Sequence, residues 1–370
     1  MEDIDSLFES DEFALTYLSG LQVPQEERLS KVLLEEIVTP RLREQERAEI
    51  QLQLRKLKLN TPNLARAGLR SGSQSILHAI YGSNSYVREA FGIFKKAPLS
   101  KIIAEHIGHR PHAVFFTREE FEKYEAVVEE MIEKRGAVYL KENLSDSGFG
   151  VCRISKQGGK YRVQQPNVNL MKLYSLQQFP FNTGQYVLEE EIPIARVAGR
   201  TWEIRMIAPY GNAFTYGKVA ATPESHLNNY AKGGYEGNAD ALIKKVLEYQ
   251  GVGKEEREEQ AQVFMTQAAD LAKRVKELTD AIQVHVAKEI FRPEDLRIEA
   301  TSYETVMAEV FSGTFFVVDI TGVFENKRLN PMIIEAQAAA GLPAQIGYAA
   351  NESVHEYFNQ KCKLFDENIR

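Results

Sequence analysis

The chain has little cysteine and no long hydrophobic run. Only Cys152 and Cys362 occur among 370 residues, and two widely separated thiols form neither a disulfide framework nor a zinc cluster. No uninterrupted apolar run reaches the roughly 18 residues of a membrane-spanning helix. The N-terminus, MEDIDSLFESDEF, is acidic and lacks the basic start and apolar stretch of a secretory signal. We therefore expect a cytoplasmic protein without a membrane partner.

Excess basic charge is also lacking. The 45 Lys and Arg residues against 52 Asp and Glu residues give a net charge of −7, so no nucleic-acid partner is predicted, although a local basic groove stays open. Hydrophobic residues make up 44% and charged residues 26% of the chain, as in ordinary globular proteins. At about 150 residues per domain, the length indicates two or three structural units.

The N-terminal region, residues 1–97, is predicted to be mainly helical. Between Val23 and Leu59 apolar residues recur at mostly helical spacings, and Pro40 is expected to divide this stretch into two helices. The Gly/Ser-rich segment Gly68–Ser75 has neither a preceding strand nor a closing GK[ST] motif, so we interpret it as a linker rather than a P-loop. A helical arm of this kind could serve a homo-oligomer interface.

From about Pro98 the pattern changes to a mixture of helices and antiparallel strands. SKIIAEHIGH and 119–134 have helical spacing, whereas HAVFF and GAVYLKE are typical strands. GVCRIS and KYRVQQ predict a hairpin with QGG at its turn, and TWEIRMIAP and FTYGKVAA predict another with YGN at its turn. Residues 239–291 are predicted to be helical with a break near Gly251–Gly253. The fold class expected is α+β.

One candidate for ligand binding is a lysine on a strand followed by a small-residue loop. Lys141 is the last residue but one of GAVYLKE, and Ser145, Ser147, Gly148 and Gly150 follow. Small residues let backbone N–H groups approach phosphates closely, and a lysine supplies a positive charge for the same phosphates. An ordinary hairpin loop between two strands is the alternative interpretation.

The second candidate is a pair of carboxylates at the ends of apolar strands. Asp319 closes FFVVD and Glu335 closes MIIE, and Gln337 points to the same side of its strand as Glu335. Burying a carboxylate is costly unless a cation compensates it, and two such oxygen donors suit Mg²⁺, or Mn²⁺ in its place. The alternative is a buried salt bridge from these carboxylates to Arg205 or Lys218.

The order of these segments resembles the ATP-grasp superfamily, and most closely its RimK-like and glutathione-synthetase-like ligases. A lysine strand, a small-residue loop, an acidic strand LEEEIP, an EIR strand, a cationic strand and a paired-carboxylate hairpin follow one another over roughly residues 98–350. The resemblance implies two α+β subdomains gripping ATP, at 98–193 for lysine, loop and hinge and at 194–370 for metal and substrate, with 239–291 as a helical segment.

The resemblance also implies how ATP is held. Lys141 would contact the α- and β-phosphates, the loop from Ser145 to Gly150 would close over the β/γ end, and Lys101 matches an earlier phosphate-contacting lysine. The backbone of Glu190 and Ile192 would bind the adenine edge, and Glu189 or Glu191 would lie near the ribose hydroxyls.

On the second subdomain the resemblance assigns catalysis, substrate and metal. Arg205 would face the transferred phosphate or the acyl intermediate, and Lys218 stands where many relatives have an arginine at the γ-phosphate. NNYAKGG would line the acceptor side through Asn228, Asn229, Lys232 and Gly233. The metal ligands implied are Asp319, Glu335 and Gln337, although most relatives have Asn rather than Gln at the last position.

The function expected from the resemblance is an ATP- and Mg²⁺-dependent ligase that joins a carboxylate to an amine through an acylphosphate. Two alternatives stay open: an ATP-grasp kinase of a small molecule, and a degenerate nucleotide- or peptide-binding module without turnover. The mainly helical residues 1–97 and the glutamine at 337 depart from the pattern of most relatives.

Overall fold

The structure is a computed structural model of the whole chain. It describes residues 48, 51, 96–142, 151–165, 168–179, 185–208, 214–223, 225, 234–297, 303–311, 316–337, 363–364 and 367–368. The predicted helices of residues 1–95 lie outside these residues, apart from Ala48 and Gln51, both of which are helical.

The described segments form helices and strands, and most of the strands follow one another with no α-helix between them. The helices are α1 (Lys96–His106), α2 (Phe121–Arg135), α3 (Ala239–Tyr249), α4 (Lys254–Ile290) and α5 (Tyr303–Phe311). The strands are β1 (Ala113–Thr117), β2 (Ala137–Glu142), β3 (Val151–Gln157), β4 (Lys160–Gln165), β5 (Val168–Leu173), β6 (Gln185–Glu190), β7 (Trp202–Ala208), β8 (Phe214–Val219), β9 (Tyr235–Gly237), β10 (Phe316–Glu325) and β11 (Arg328–Gln337).

The first sheet is six-stranded and antiparallel, in the order β1-β6-β2-β3-β4-β5. One of its faces packs against α2 through a core that includes Val138, Leu140 and Ile154. Because side chains alternate along a strand, Tyr139 and Lys141 on β2 point to the opposite face. Gly136 ends α2 in a left-handed conformation, with φ of 87°, which a glycine adopts without steric cost.

The second sheet is five-stranded and antiparallel, in the order β11-β10-β7-β8-β9. Its inner face packs on α3 and α4, where Trp202 and Phe264 meet at 5.9 Å between ring centroids. On β7 the side chains of Trp202, Ile204 and Met206 enter this core, and Glu203 and Arg205 between them face away from it. The core of this sheet also receives Leu99, Ile103 and Ile107, from α1 and the residue that follows it.

A tight turn after α1 connects the two sheets. Gly108 and His109 both have positive φ angles, of 72° and 51°, and the carbonyl of His109 accepts a hydrogen bond of 2.7 Å from the backbone N–H of Ile333 on β11. This turn leads into β1 of the first sheet. The segment 107–112 therefore touches both sheets at their junction.

The predicted α+β class is confirmed. The two predicted hairpins form, as β3–β4 with Gly158 and Gly159 at the turn and as β7–β8, and the helical region 239–291 is interrupted at 250–253. Strands β5 and β9 and helix α5 are not among the predicted elements. No helix of the described residues is long and apolar enough to cross a membrane.

Truncating Phe264 is expected to test the core of the second sheet. Phe264 is fully buried, so Phe264→Ala should lower the free energy of unfolding by about 3–5 kcal/mol through lost burial and the cavity left behind. Urea-induced unfolding provides the measurement. Val263, the preceding residue on α4, is 47% exposed, and Val263→Ala should change stability by less than about 0.5 kcal/mol. Equal effects of the two substitutions would contradict this packing.

Candidate functional site

The first charged cluster lies on the face of the first sheet that points away from α2. Glu189 on β6 is buried, and its two carboxylate oxygens have different cationic partners. Oε2 lies 2.6 Å from the Nζ of Lys141 on β2, and Oε1 lies 2.6 Å from an Nη2 of Arg110, in the turn before β1. The lysine predicted to contact phosphate is thus held by a buried carboxylate.

Burial and charge act in opposite directions on this carboxylate. Burial raises the pKa of Glu189, but the positive charges of Lys141 and Arg110, and the hydrogen bonds that they donate, outweigh it and lower the pKa below the usual range. Glu189 is therefore ionised at neutral pH, and the cluster of two cations and one carboxylate carries one net positive charge.

The predicted adenine hinge follows directly on β6. The backbone N–H of Glu190 bonds the carbonyl of His112 at 2.9 Å, and that of Glu191 bonds the carbonyl of Ala137 at 3.0 Å. The carbonyl of Ile192 accepts from the N–H of Ile194 at 2.8 Å. The segment is thus anchored by its own backbone hydrogen bonds as it crosses from one sheet to the other.

The side chains of this hinge are also paired, with one partner on β3 and one at the end of α2. Glu191 accepts two hydrogen bonds from Arg153, at 2.7 and 2.8 Å, and Glu190 pairs with Arg135 at 2.9 Å. Of the two glutamates predicted to lie near ribose, Glu189 is 2% exposed and Glu191 is half-buried. Glu191 is thus the more accessible of the two.

The second charged cluster lies on the face of the second sheet that points away from α3 and α4. Asp319 on β10 stands opposite Arg205 on β7 in the ladder, and the guanidinium donates to both of its oxygens, at 2.7 and 2.6 Å. The Nζ of Lys218 on β8 lies 3.4 Å from the same carboxylate and also pairs with Glu203.

This arrangement is the buried salt bridge that the sequence left as the alternative. Burial raises the pKa of Asp319, but the charges of Arg205 and Lys218 outweigh it and lower the pKa to about 2. Burial raises the pKa of Glu236, which stands opposite Lys218 on β9, above its usual value. On this face Glu236, Lys218 and Glu203 stand opposite one another across β9, β8 and β7. Arg205 stands opposite Asp319 across β7 and β10.

The carboxylate pair predicted for the metal comes together on β10 and β11. Asp319 and Glu335 are directly opposite each other, and the register shifts beside them between Asp319 and Ile320. Such a bulge bends the strand locally and re-aims side chains. Two carboxylates side by side match the oxygen ligands that Mg²⁺ prefers. Among the described residues, however, no group of three or more His, Cys, Asp and Glu side chains forms a metal site.

The two clusters meet at Ile334, the residue before Glu335. The backbone carbonyl of Ile334 accepts from the Nζ of Lys141 at 3.4 Å and from Arg110 at 3.3 Å. Both cations of the first sheet thus contact the strand that carries Glu335. This junction brings the predicted phosphate lysine close to the predicted metal carboxylates.

Several predicted site residues lie outside the described part of the chain. They are Ser145, Ser147, Gly148 and Gly150 of the phosphate loop and Asn228, Asn229, Lys232 and Gly233 of the acceptor segment. Lys101 lies in α1 and Gln337 ends β11, and only their backbone is described. Cys152 is buried in the core of the first sheet.

Sequence analysis missed Arg110 and Glu203. Arg110 lies in a loop without a recognisable motif, and only its position before the apolar strand HAVFF marks it. Glu203 was visible as the first residue of the EIR segment, since strand alternation puts it on the same face as Arg205.

Comparison with known proteins gives similarity in fold only. No family model matches the chain, and no curated protein matches its sequence. The chain is similar to D-cycloserine synthetase DcsG at 10% identity and a TM-score of 0.42, over 76% of this chain and 78% of that one. It is also similar to D-alanyl-alanine synthetase A from Vibrio cholerae O1 biovar eltor at 10% identity and a TM-score of 0.38, over 74% of this chain and 65% of that one.

Asp319 is expected to make stability depend on pH. Its folded pKa of about 2 lies below the unfolded value of about 3.9, so its contribution is complete well above pH 4 and is lost as the pH falls through 2. Asp319→Asn removes the carboxylate that accepts both hydrogen bonds from Arg205 and leaves Lys218 with Glu203, so it should cost about 3–5 kcal/mol at pH 7. Unfolding of both proteins in urea, from pH 7 down to 2.5, should show this difference shrinking below about pH 4.

Glu258→Gln is the matched control for this experiment. Glu258 is 60% exposed and pairs with Lys244 at 2.5 Å on the surface, so its removal should change stability little at any pH. A difference between wild type and Asp319→Asn that stays constant down to pH 2.5 would contradict the lowered pKa.

Proposed function

We propose that this protein is an ATP- and Mg²⁺-dependent ligase that joins a carboxylate to an amine through an acylphosphate. The contact between Lys141 and the carbonyl of Ile334, at 3.4 Å, carries the proposal. It links a lysine of the first sheet to the strand of Glu335 on the second sheet. An ATP site between two sheets requires this combination of a phosphate-binding cation on one side and carboxylates on the other.

The reaction proceeds in two balanced steps. In the first, a substrate carboxylate oxygen forms a bond to the γ-phosphorus of ATP, and the bond from that phosphorus to the β-phosphate oxygen breaks to release ADP. In the second, an amine nitrogen attacks the acyl carbon, the C–O bond to phosphate breaks, and the amine loses a proton. Neither step needs a covalent bond to the enzyme, so Cys152 keeps a structural role.

The chain's own residues contribute electrostatics and orientation. Negative charge on the transferring phosphoryl group requires fixed cations, and Lys141, Arg205 and Lys218 are the candidates. Arg205 and Lys218 are held by Asp319 and Glu203, which fixes their positions before a substrate arrives.

Asp319 and Glu335 are the residues that would hold Mg²⁺. Their opposed positions on β10 and β11 and their oxygen ligands fit this ion. When bound, the ion would supply positive charge that neutralises the phosphates of ATP.

A nucleotide-binding module without turnover is the second candidate. The observation that favours it is the pair of hydrogen bonds from Arg205 to both oxygens of Asp319. A carboxylate occupied in this way is a poorer metal ligand, because the cation competes for the same lone pairs.

Lys141→Ala is expected to weaken ATP binding. Removing a charge-assisted hydrogen bond to phosphate costs about 1.5–3 kcal/mol, or roughly 10- to 150-fold in affinity. ATP with Mg²⁺ should therefore raise the melting temperature of the wild type, and this rise should be lost or strongly reduced in the variant. Lys172→Ala, an exposed lysine on β5, is the matched control and should keep the full rise. No rise in the wild type at millimolar ATP would refute the proposed ATP site.

Product analysis separates the candidate reactions. A ligase should release ADP with a suitable carboxylate and amine supplied together, and an amide product should form. ADP release that needs an acceptor but no amine would indicate a kinase. ATP binding without ADP release for a broad panel of carboxylates and amines would support the binding module.

A further inference from the structure

Arg110 is the most deeply buried cation at the junction of the two sheets. Its side chain is 2% exposed and lies 2.6 Å from Oε1 of Glu189. The same Nη2 atom also reaches the carbonyl of Ile334 at 3.3 Å. Its Nε and Nη1 atoms are buried and have no hydrogen-bond partner within the described residues. The arginine is thus enclosed, and it is oriented through Glu189 and the backbone of β11.

Lys141 and Arg110 compensate the same carboxylate, but they differ in access. Each cation is bonded to its own oxygen of Glu189, at the same distance of 2.6 Å. The side chain of Lys141 is 13% exposed against 2% for Arg110. Lysine also has a flexible stem and a single ammonium group, whereas the planar guanidinium of Arg110 is enclosed and bonded through Nη2 to Glu189 and the carbonyl of Ile334. Lys141 is therefore the cation of this pair that can turn to another anion.

A second counter-ion is needed if Lys141 turns away. A buried carboxylate that loses its only cation is strongly destabilised. If Lys141 were the only counter-ion of Glu189, it would therefore stay bonded to that carboxylate. With Arg110 in place, Glu189 keeps a bonded positive charge after Lys141 departs. The cost of moving Lys141 from carboxylate to phosphate is thereby lowered.

We propose that Arg110 is a positioning residue for Lys141, because it keeps Glu189 neutralised while Lys141 contacts the phosphates of ATP. The inference rests on the proposed function. It adds a residue to which the resemblance to the ATP-grasp superfamily assigns no role. The left-handed turn at Gly108 and His109 delivers Arg110 to this place, and the bond from Ile333 to His109 fixes the turn to β11.

Four variants test this role by calorimetric measurement of ATP affinity with Mg²⁺. Arg110→Gln should weaken ATP binding by at least about tenfold, since Lys141 then becomes the sole counter-ion of buried Glu189. Arg110→Lys should retain most of the affinity. Glu189→Gln gives the ATP affinity in the absence of the buried carboxylate, and the double variant Arg110→Gln with Glu189→Gln should match it within about threefold, because no carboxylate is then present to hold Lys141.

Recovery in the double variant distinguishes positioning from a merely structural role. If Arg110 only stabilised the fold, removing a second buried group would not restore affinity. Arg257→Gln is the control for loss of a paired arginine. Arg257 on α4 pairs with Glu248 on α3 at 2.7 Å, away from this junction. Its ATP affinity should equal that of the wild type.

The outcomes separate this inference from the proposed function. If wild type binds ATP, Lys141→Ala does not, and Arg110→Gln binds like the wild type, the role of Arg110 is refuted and the ATP site stands. A double variant as weak as Arg110→Gln would also refute it. If the wild type fails to bind ATP, the proposed function itself fails. Should Arg110→Gln not fold, Arg110→Lys and the double variant still decide the question.

Discussion

Burying a carboxylate is costly unless cations compensate it, and this constraint governs the junction between the two sheets. Glu189 is held by Lys141 and Arg110 on the first sheet, and Asp319 by Arg205 and Lys218 on the second. In the first cluster one carboxylate meets two cations, so the charge that remains is positive and suits an anionic ligand. In the second cluster Glu203 also pairs with Lys218, so two carboxylates balance two cations. Both clusters lie on sheet faces that the hydrophobic cores leave uncovered.

Strand alternation is what allows core and charge to share the same elements. On β7 the side chains of Ile204 and Met206 pack on the helices, while Arg205 between them reaches Asp319. On β2 the side chain of Leu140 enters the first core, while Lys141 reaches Glu189. Each functional side chain is therefore held by neighbours that are fixed by hydrophobic packing.

The sequence predicts those parts of this arrangement that have a local pattern of apolar and charged residues. Apolar runs that end on Asp319 and Glu335 mark the carboxylate pair, and alternation around Arg205 marks its partner. The prediction that these two residues close their strands was wrong, because β10 and β11 both continue past them. Strand β5, with the sequence VNLMKL, has only one β-branched residue, and β9 is three residues long, so neither has a clear strand pattern. Arg110 could not be predicted, because its function depends on contacts with Glu189 and Ile334, which lie 79 and 224 positions away along the chain.

Stability alone is a poor explanation for these clusters. A buried ion pair contributes little net free energy, because desolvation of the two groups offsets most of their attraction, and apolar residues of similar volume often serve as well or better. The face of the second sheet nevertheless carries Glu203, Arg205, Lys218, Glu236 and Asp319 in neighbouring positions. Charges that do little for the fold are best understood through the ligand that they attract.

Pairing between a cation and a carboxylate recurs on both sheets. Each cation that the proposed reaction requires at a phosphate is held by a carboxylate: Lys141 by Glu189, and Arg205 and Lys218 by Asp319. A carboxylate fixes the position of a cation, and it also competes with the phosphate for that cation. Affinity for the nucleotide then depends on the free-energy cost of breaking one of the two ion pairs that each carboxylate makes. Arg110, bonded to both Glu189 and the backbone of β11, provides the counter-charge that makes this exchange feasible on the first sheet.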